Sequence, residues 1–288
     1  MIGLGKDTVI LSDFSENWSI EASKTIVKLK EILGDTAKDV QHIGSTAVFG
    51  LKARPIIDIV VAVESIEKLI DCIDDLEVNG FYFIQQIENK EEVLFGSGSY
   101  YEGRGNLLTH FIHFVIEDSM EWLNYINFRN YLNKKAKIKD EYETLKISLV
   151  DNLSSNNINN EYTEKKSDFI NYTLRKALVD SFMDNVVTIK MDRPIGSPHP
   201  KRKEIVYPIN YGYIPNVIGG DDEELDVYLL GVDKPVLEYK AKIIAIVHRS
   251  DDVEDKLVAA PVGMTYSKDE IAKAVNFQEK YYKINIEV

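Results

Sequence analysis

Hydrophobic and polar positions follow two different periods along the chain, and the change of period divides it in two. Up to about residue 179, apolar positions at helical spacing alternate with short continuous apolar runs. Residues Ile20–Leu33 predict an amphipathic helix that ends at Gly34, and the run IIDIVVAV at 56–63 predicts a buried strand. Alternating helices and strands predict an α/β (or α+β) domain over residues 1–179.

From about residue 180, short strand-like runs punctuated by glycine and proline replace the helical spacing. VVTIKM, LDVYLLGV, AKIIAIVH and KLVAAPVG follow one another along the chain. Strands at this spacing predict a small antiparallel β-barrel over residues 180–288. One helix is expected to close it, from Ser267 to Tyr282, because Ser267 and Glu270 have the spacing of a capping box.

The composition of the 288 residues excludes several classes of protein. A hydrophobic fraction of 44% is enough to bury two cores, and a net charge of −13 argues against a broad nucleic-acid surface. No apolar run approaches the ~18 residues of a membrane span, and no secretion leader is recognisable. The single cysteine, Cys72, excludes an internal disulfide. We therefore expect a cytoplasmic protein, and the exposed barrel strands are compatible with a homo-oligomer.

A cluster of acidic residues follows the aromatic run YPINYGYIPNVI. Beyond a glycine turn, five carboxylates occupy six positions: Asp221, Asp222, Glu223, Glu224 and Asp226. Hard divalent cations prefer oxygen ligands, and a turn that leads into a strand can direct alternate carboxylates to one point. The pattern therefore indicates a metal site, with a solvated acidic loop as the alternative.

A second candidate site lies in the N-terminal half. Ile43-Gly44-Ser45 forms a turn pattern, and after twelve residues Asp58 interrupts the buried strand. Backbone N–H groups and a hydroxyl at such a turn can hold phosphate oxygens beside a strand carboxylate. His110 and His113 are three positions apart and should face opposite sides of a strand, so that one of them shares the face of Asp58. The alternative for each is a hydrogen-bonded core histidine.

The segments HIGSTAVFGLKARPIIDI, THFIHFV, NFRNYLNKKAKIKDEYETLK and YTEKKSDFI together resemble the GrpB family over about residues 8–179. The resemblance implies a nucleotidyltransferase-like fold and a nucleotide- or phosphate-binding pocket, although the second strand acid usual in nucleotidyltransferases is replaced by Val60. The pocket residues that it implies are His42, Gly44, Ser45, Thr46, Arg54, Asp58, His110 and His113, with Arg129 and Lys165 as added positive charges.

NYGYI with its acidic turn, followed by DDVEDKLVAAP, resembles family I soluble inorganic pyrophosphatases over about residues 185–283. The resemblance implies an OB-like barrel, Mg²⁺ as cofactor with Mn²⁺ as alternative, and catalytic roles for Asp221, Asp226, Tyr211 and Glu254. The metal ligands that it implies are Asp221, Glu223, Asp226, Asp251, Glu254 and Asp255. The phosphate-binding residues are Arg193, Lys201, Arg202, Lys203, Lys256 and Tyr281.

Three functions follow from these patterns. The first is a Mg²⁺-dependent phosphoanhydride hydrolase acting on inorganic pyrophosphate in the C-terminal domain. The second is a nucleotidyltransferase in the N-terminal domain, whose released pyrophosphate the fused barrel removes. The third is a nucleotide- or phosphate-binding protein in which neither site turns over. Val60 favours it, and so does Tyr282, which stands where the pyrophosphatase resemblance implies a lysine. In each case the expected partner is a small molecule, either pyrophosphate or a nucleotide.

Overall fold

The structure is a computed structural model of the chain, and it describes residues 2–5, 8–87, 91–98, 107–152, 158–200, 203, 206–219, 221, 223–252 and 254–288. The chain divides into two compact units, Met1–Leu174 and Arg175–Val288. The division falls within the helix Ser167–Ser181, which also contains the boundary predicted after residue 179. Of the helices in these ranges, none has the length and apolar character needed to cross a bilayer.

A five-stranded mixed sheet is the centre of the first unit. Its strands are β2 (Ala37–Ile43), β3 (Ile57–Val63), β4 (Phe81–Gln86), β5 (Glu92–Ser97) and β7 (His110–Ile116). Their order is β2-β3-β7-β5-β4, with β3 and β7 parallel and the other neighbours antiparallel. A two-residue pair, β1 (Leu4–Gly5) with β6 (Leu107–Leu108), lies apart from this sheet.

Helices cover both faces of that sheet. They are α1 (Glu16–Leu33), α2 (Ile66–Ile70), α3 (Ile73–Val78), α4 (Met120–Lys134), α5 (Ala136–Asp151), α6 (Ile158–Lys165) and α7 (Ser167–Ser181). Trp18 and Leu29 of α1 pack with Ile59 on one face. On the other face, Val60 packs with Trp122 of α4 and is fully buried. The position where an acid would be expected is therefore part of an apolar core.

The second unit is a small barrel. Its elements are β8 (Val186–Arg193), β9 (Asn210–Ile218), β10 (Glu224–Leu229), β11 (Glu238–Arg249), β12 (Lys256–Ala260), α8 (Lys268–Glu279) and β13 (Ile284–Glu287). Within the described residues, five strands follow one another in the order β12-β10-β9-β8-β11, and they close a ring because β11 also pairs with β12. The sixth strand, β13, pairs with β11. The barrel and its helix confirm the prediction, except that β10 and β12 are parallel.

The capping box predicted at the start of α8 is present. The N–H of Glu270 donates to Oγ of Ser267 at 3.3 Å, and the N–H of Ser267 donates to Oε2 of Glu270 at 2.8 Å. Two backbone donors that the first helical turn leaves unpaired are satisfied in this way. The buried face of α8 then presents Ile271 and Val275 to an apolar cluster with Tyr228.

Gly212 marks the closest approach of two barrel strands, because a Cβ at this position would lie 1.9 Å from the carbonyl oxygen of Lys190. We expect Gly212→Ala to lower the free energy of unfolding of the barrel by about 2 kcal/mol or more, since β8 and β9 must separate. Urea unfolding followed by far-UV circular dichroism measures the change. Fluorescence of the two tryptophans, Trp18 and Trp122, reports separately on the first unit.

Gly219→Ala is the matched control, because the nearest atom to a Cβ at Gly219 would be 3.5 Å away, an ordinary contact. If the Gly212 variant unfolded at the same urea concentration as this control, the close approach of the two strands would be disproved.

Candidate functional site

The Gly44–Ser45 turn packs directly against Asp58. Ile43, the last residue of β2, pairs with Asp58 on β3, so that the chain turns beside the carboxylate. Gly44 has a φ of +70°, and a Cβ at that position would lie 2.3 Å from Oδ2 of Asp58. Only glycine meets both conditions. The sequence pattern predicted that the turn lies beside the carboxylate, and the two are in contact.

His113 lies on the same sheet face as Asp58, because the parallel register places His113 opposite Val60. Its Nδ1 is 2.8 Å from Oε1 of Glu92, and its Nε2 is 3.9 Å from Oδ1 of Asp58. Tyr125 Oη also donates to Glu92, at 2.7 Å. Burial alone would lower the pKa of His113, but hydrogen bonds and charges from Asp58 and Glu92 outweigh burial and raise this pKa to about 9. An imidazolium thus separates two carboxylates.

Two other histidines are neutral. His110 is buried on the opposite face, with Nε2 3.0 Å from Oγ1 of Thr25 and Nδ1 2.8 Å from Oγ1 of Thr109. Burial lowers its pKa. It is therefore a hydrogen-bonded core histidine, and its predicted place in the pocket with Asp58 is wrong. His42 Nε2 lies 2.9 Å from Oγ1 of Thr46, and burial lowers the pKa of His42 to about 4.

Two lysines lie near the Gly44–Ser45 turn. Lys146 of α5 is 1% exposed, and its Nζ lies 3.4 Å from Oγ of Ser45. Lys166 lies at the break between α6 and α7, with Nζ 4.2 Å from the ring centre of Tyr162; the guanidinium of Arg54 is 5.3 Å from the same ring. Burial, reinforced by the neighbouring positive charges, lowers the pKa of each lysine to about 7.

The two cationic side chains that the sequence suggested for this pocket, Arg129 and Lys165, have other partners. Arg129 donates to Oε1 of Gln41 and to the carbonyl of His42, both at 2.8 Å, and therefore holds the end of β2. Lys165 forms an ion pair of 2.6 Å with Glu161, one turn earlier on α6. Sequence reasoning missed Lys146 and Lys166. The signals that could have identified them in the sequence are a lysine at a buried helical position, for Lys146, and a lysine at a helix break, for Lys166.

In the barrel, Asp226 of β10 and Glu254 of the segment before β12 meet around Lys256. The parallel register of β10 with β12, in which Val227 faces Leu257, places Asp226 next to Lys256. Nζ of Lys256 is 2.8 Å from both carboxylate oxygens of Glu254 and 2.8 Å from Oη of Tyr211. Oδ2 of Asp226 accepts from both Lys256 and Tyr211.

The charges in this cluster are strongly coupled. Burial raises the pKa of Glu254 to about 8; the charge of Asp226 adds to this effect and that of Lys256 opposes it. Burial acts in the same direction on Asp226, but Lys256 outweighs it and lowers the pKa of that carboxyl. Burial holds the pKa of Tyr211 well above its usual value, so its hydroxyl stays a donor. At neutral pH the pair therefore shares one negative charge and one proton.

The other predicted metal ligands have different partners. Asp255 is buried, with Oδ1 accepting from Nζ of Lys176 at 2.7 Å and Oδ2 lying 2.8 Å from Nδ1 of His248. The carboxylate of Asp251 accepts from the N–H of Lys283 at 2.9 Å. Asp221 and Glu223 are exposed, and Oδ1 of Asp221 accepts from the N–H of Glu223 at 3.1 Å. In the part of the chain that the structure describes, no three such side chains gather at metal-binding distance, and the six-ligand cage stays a prediction.

Arg249 is a buried residue of this site that sequence reasoning missed. It is 3% exposed and donates to Glu279 at 2.9 and 2.6 Å, to Asp252 at 3.0 Å and to Glu254 at 3.4 Å. Its guanidinium lies 3.8 Å from the ring centre of Tyr282. No local pattern identifies this arginine, because its main partner comes from α8.

The predicted phosphate-binding residues are dispersed. Lys256 belongs to the carboxylate cluster, whereas Arg193 pairs with Asp192 at 2.6 Å at the end of β8. Lys203 and Tyr281 are exposed. Lys201 and Arg202, like Asp222 of the acidic run, lie outside the described residues.

Comparison with known proteins now identifies the first unit. A sequence model of the GrpB family matches residues 8–176. The glutamate-rich protein GrpB of Alkalihalophilus pseudofirmus is 35% identical over 178 residues, which are 61% of this chain and 99% of that protein. The chain belongs to the GrpB family. The crystal structure of the conserved protein GrpB from Enterococcus faecalis covers 60% of this chain and 99% of its own, at 29% identity and a TM-score of 0.53.

The barrel of this GrpB-family chain has a match of its own, because the sequence model named inorganic pyrophosphatase matches residues 165–285. An inorganic pyrophosphatase structure from Neisseria gonorrhoeae is 21% identical and covers 34% of this chain and 74% of its own, at a TM-score of 0.29. A structural similarity with so low a TM-score does not by itself establish the fold or the function of the barrel. The two family matches confirm both resemblances that the sequence predicted. The α/β domain and the closed β-barrel with its terminal helix are confirmed by the observed fold.

His113 provides a test of the electrostatics of the GrpB unit. Because its pKa is raised from 6.5 to about 9 in the folded state, its proton stabilises the fold at low pH, and this contribution is lost as the pH rises through 9. We expect His113→Gln to cost about 2 kcal/mol near pH ~6, and the difference from wild type to shrink towards zero near pH ~10. Urea unfolding followed by tryptophan fluorescence measures this difference.

His110→Gln is the control, since burial lowers rather than raises the pKa of His110. The difference between this variant and wild type should not shrink in alkaline solution. A pH-independent effect of His113→Gln would mean that the imidazole carries no charge in the folded protein.

Proposed function

We propose that the barrel hydrolyses phosphoanhydrides, with inorganic pyrophosphate as substrate and Mg²⁺ as cofactor, Mn²⁺ being the alternative. The match of residues 165–285 to the inorganic pyrophosphatase family supports the reaction class. For this chain, the proposal rests on one observation: Asp226, Glu254 and Lys256 meet beside Tyr211. These are side chains to which the resemblance assigns catalysis and phosphate binding.

The donor set fits a single divalent cation better than a large metal cage. Asp226 and Glu254 hydrogen-bond one another, and burial next to a second carboxylate raises the pKa of Glu254 to about 8. A hard divalent cation prefers carboxylate oxygens and would replace the proton that the pair shares, so these two residues would hold it. When bound, such a cation supplies a water of lowered pKa and neutralises charge on phosphate oxygens.

The chain's own side chains would orient and neutralise the substrate. Asp226 stays ionised, because Lys256 lowers its pKa, and it can accept a proton from an attacking water. The hydroxyl of Tyr211 donates to Asp226 and keeps the orientation of that carboxylate. Lys256 brings a buried positive charge to the place where charge develops on a leaving phosphate.

A second candidate, binding of a phosphorylated ligand without turnover, has its own support. Lys256 and Arg249 already neutralise carboxylates of the cluster, and Asp251 and Asp255 hold other partners. Nucleotidyl transfer in the GrpB unit stays a prediction, as do the cytoplasmic location and the homo-oligomer.

The hydrolase is tested by phosphate release from pyrophosphate with and without Mg²⁺. We expect release that requires the cation, and a loss of roughly 100-fold or more in Asp226→Asn, because this change removes the charged group at the centre of the cluster. A matched barrel variant is Asp233→Asn, which changes an exposed carboxylate outside the predicted set and should keep full activity.

Far-UV circular dichroism and the urea midpoint show whether each variant is folded. If wild-type protein released no phosphate above the buffer rate at any Mg²⁺ concentration, the hydrolase would be excluded and the binding protein would remain. Equal activity of the two variants would place the chemistry away from Asp226.

A further inference from the structure

Lys146, which is buried, and Lys166, which is partly buried, stand out in the GrpB unit. The other buried cations among the described residues are paired with acids. Lys256 and Arg249 each contact at least one carboxylate, and His113 contacts two. Lys146 and Lys166 make no ion pair within the described residues. An amine without a counter-charge in a desolvated place lowers its pKa, and groups perturbed in this way cluster at functional sites.

The carboxylates closest to the two lysines are already engaged. Glu143 contributes a favourable charge to Lys146, but its Oε2 accepts the N–H of Lys52 at 2.6 Å. Asp58 contributes to Lys166, but the protonated His113 already lies beside it. Neither acid forms an ion pair with a lysine of this pair.

The remaining groups that face the lysines are positive or neutral. Arg54 lowers the pKa of both lysines, and each lysine ammonium lies over a tyrosine ring, Tyr142 for Lys146 at 4.7 Å and Tyr162 for Lys166 at 4.2 Å. Burial raises the pKa of both tyrosines, to about 12 for Tyr142, so they stay uncharged at neutral pH. The two amines thus have no acidic partner among the described residues, and they would take up protons when an anion binds.

The geometry points to a phosphate-binding site formed by Ser45, Lys146 and Lys166, with Arg54 beside them. Ser45, Arg54 and Lys166 are each partly exposed, whereas Lys146 is buried with its Nζ 3.4 Å from Oγ of Ser45. No residue of the site belongs to the barrel, so the site goes beyond the proposed hydrolase and does not depend on it.

A phosphate group fits this arrangement better than a carboxylate does. A terminal phosphate carries close to two negative charges and has three acceptor oxygens at neutral pH, so one group can serve two ammonium ions and a hydroxyl. A carboxylate carries one charge and would leave one lysine uncompensated. The ligand class is therefore a phosphorylated metabolite or a polyphosphate, of which nucleotides are one source.

Isothermal titration of the full chain in metal-free buffer at about pH 8 tests the site, with ATP, inorganic tripolyphosphate and adenosine as probes. We expect both phosphate compounds to bind, adenosine not to bind, and Lys166→Met to weaken binding by roughly ten-fold or more. A tighter complex with ATP than with tripolyphosphate identifies a nucleotide site, and equal affinities identify a polyphosphate site.

Lys165→Met is the matched control, because Lys165 is the adjacent lysine and forms an ion pair with Glu161 on the exposed side of the helix. It should bind as wild type does. Equal affinities of the Lys165 and Lys166 variants, or tight binding of adenosine, would overturn the site, and so would no binding of either phosphate compound at millimolar concentration. Lys146→Met serves as a second variant, and the thermal midpoint shows that each variant is folded.

Proton uptake separates ligand contact from a structural role. Both lysines have a pKa of about 7, so near pH ~8 they are mostly neutral until an anion raises the pKa and draws protons in. Titrations in two buffers of different ionisation enthalpy should show uptake of about one proton or more for each ligand bound, and affinity should fall as the pH rises. Lys166→Arg should keep the affinity and reduce the uptake. Binding without proton uptake in wild type would contradict the assignment.

Discussion

Neutralisation of buried charge by partners from the same chain is the constraint on which both units depend. In the barrel, the ammonium of Lys256 joins the turn before β12 to Asp226 on β10, and Arg249 ties the same region to Glu279 on α8. Removing one partner of such a pair leaves an uncompensated buried charge, a change that costs several kcal/mol, roughly 3 to 5. The acids that give the barrel its chemical character therefore also hold its strands and helix in place.

In the GrpB unit, some charges have partners of opposite charge and others have none among the described residues, and the second group is the informative one. His113 compensates Asp58 and Glu92, so the acidic side of that unit is balanced internally. Lys146 and Lys166 have no such balance among the described residues, and burial lowers the pKa of both to about 7. In the barrel, Lys256 neutralises the acids. In the GrpB unit, Lys146 and Lys166 have no acidic partner among the described residues. The first arrangement is the basis of the proposed hydrolase, and the second is the basis of the proposed phosphate-binding site.

Much of the architecture could be predicted from the pattern of residues. The apolar run around Asp58 indicated a buried strand, and the spacing of Ser267 and Glu270 indicated the start of α8. The contact between the Gly44–Ser45 turn and Asp58 also followed from the pattern, because the two segments are joined by a short connection. The site residues were harder to predict. Lys165 and Lys166 are neighbours in an unremarkable helical sequence, and the break between α6 and α7 decides which of them turns inward.

The sequence by itself determined the two-unit organisation, the β-barrel and the family resemblances. Tertiary structure alone decided that Asp226 and Glu254 meet while Asp251 and Asp255 find other partners, and that His113 rather than His110 faces Asp58. The physical reason is that hydrophobic periodicity depends on near neighbours along the chain. The partner of a buried charge depends on which distant strands pair, and in which register they do so.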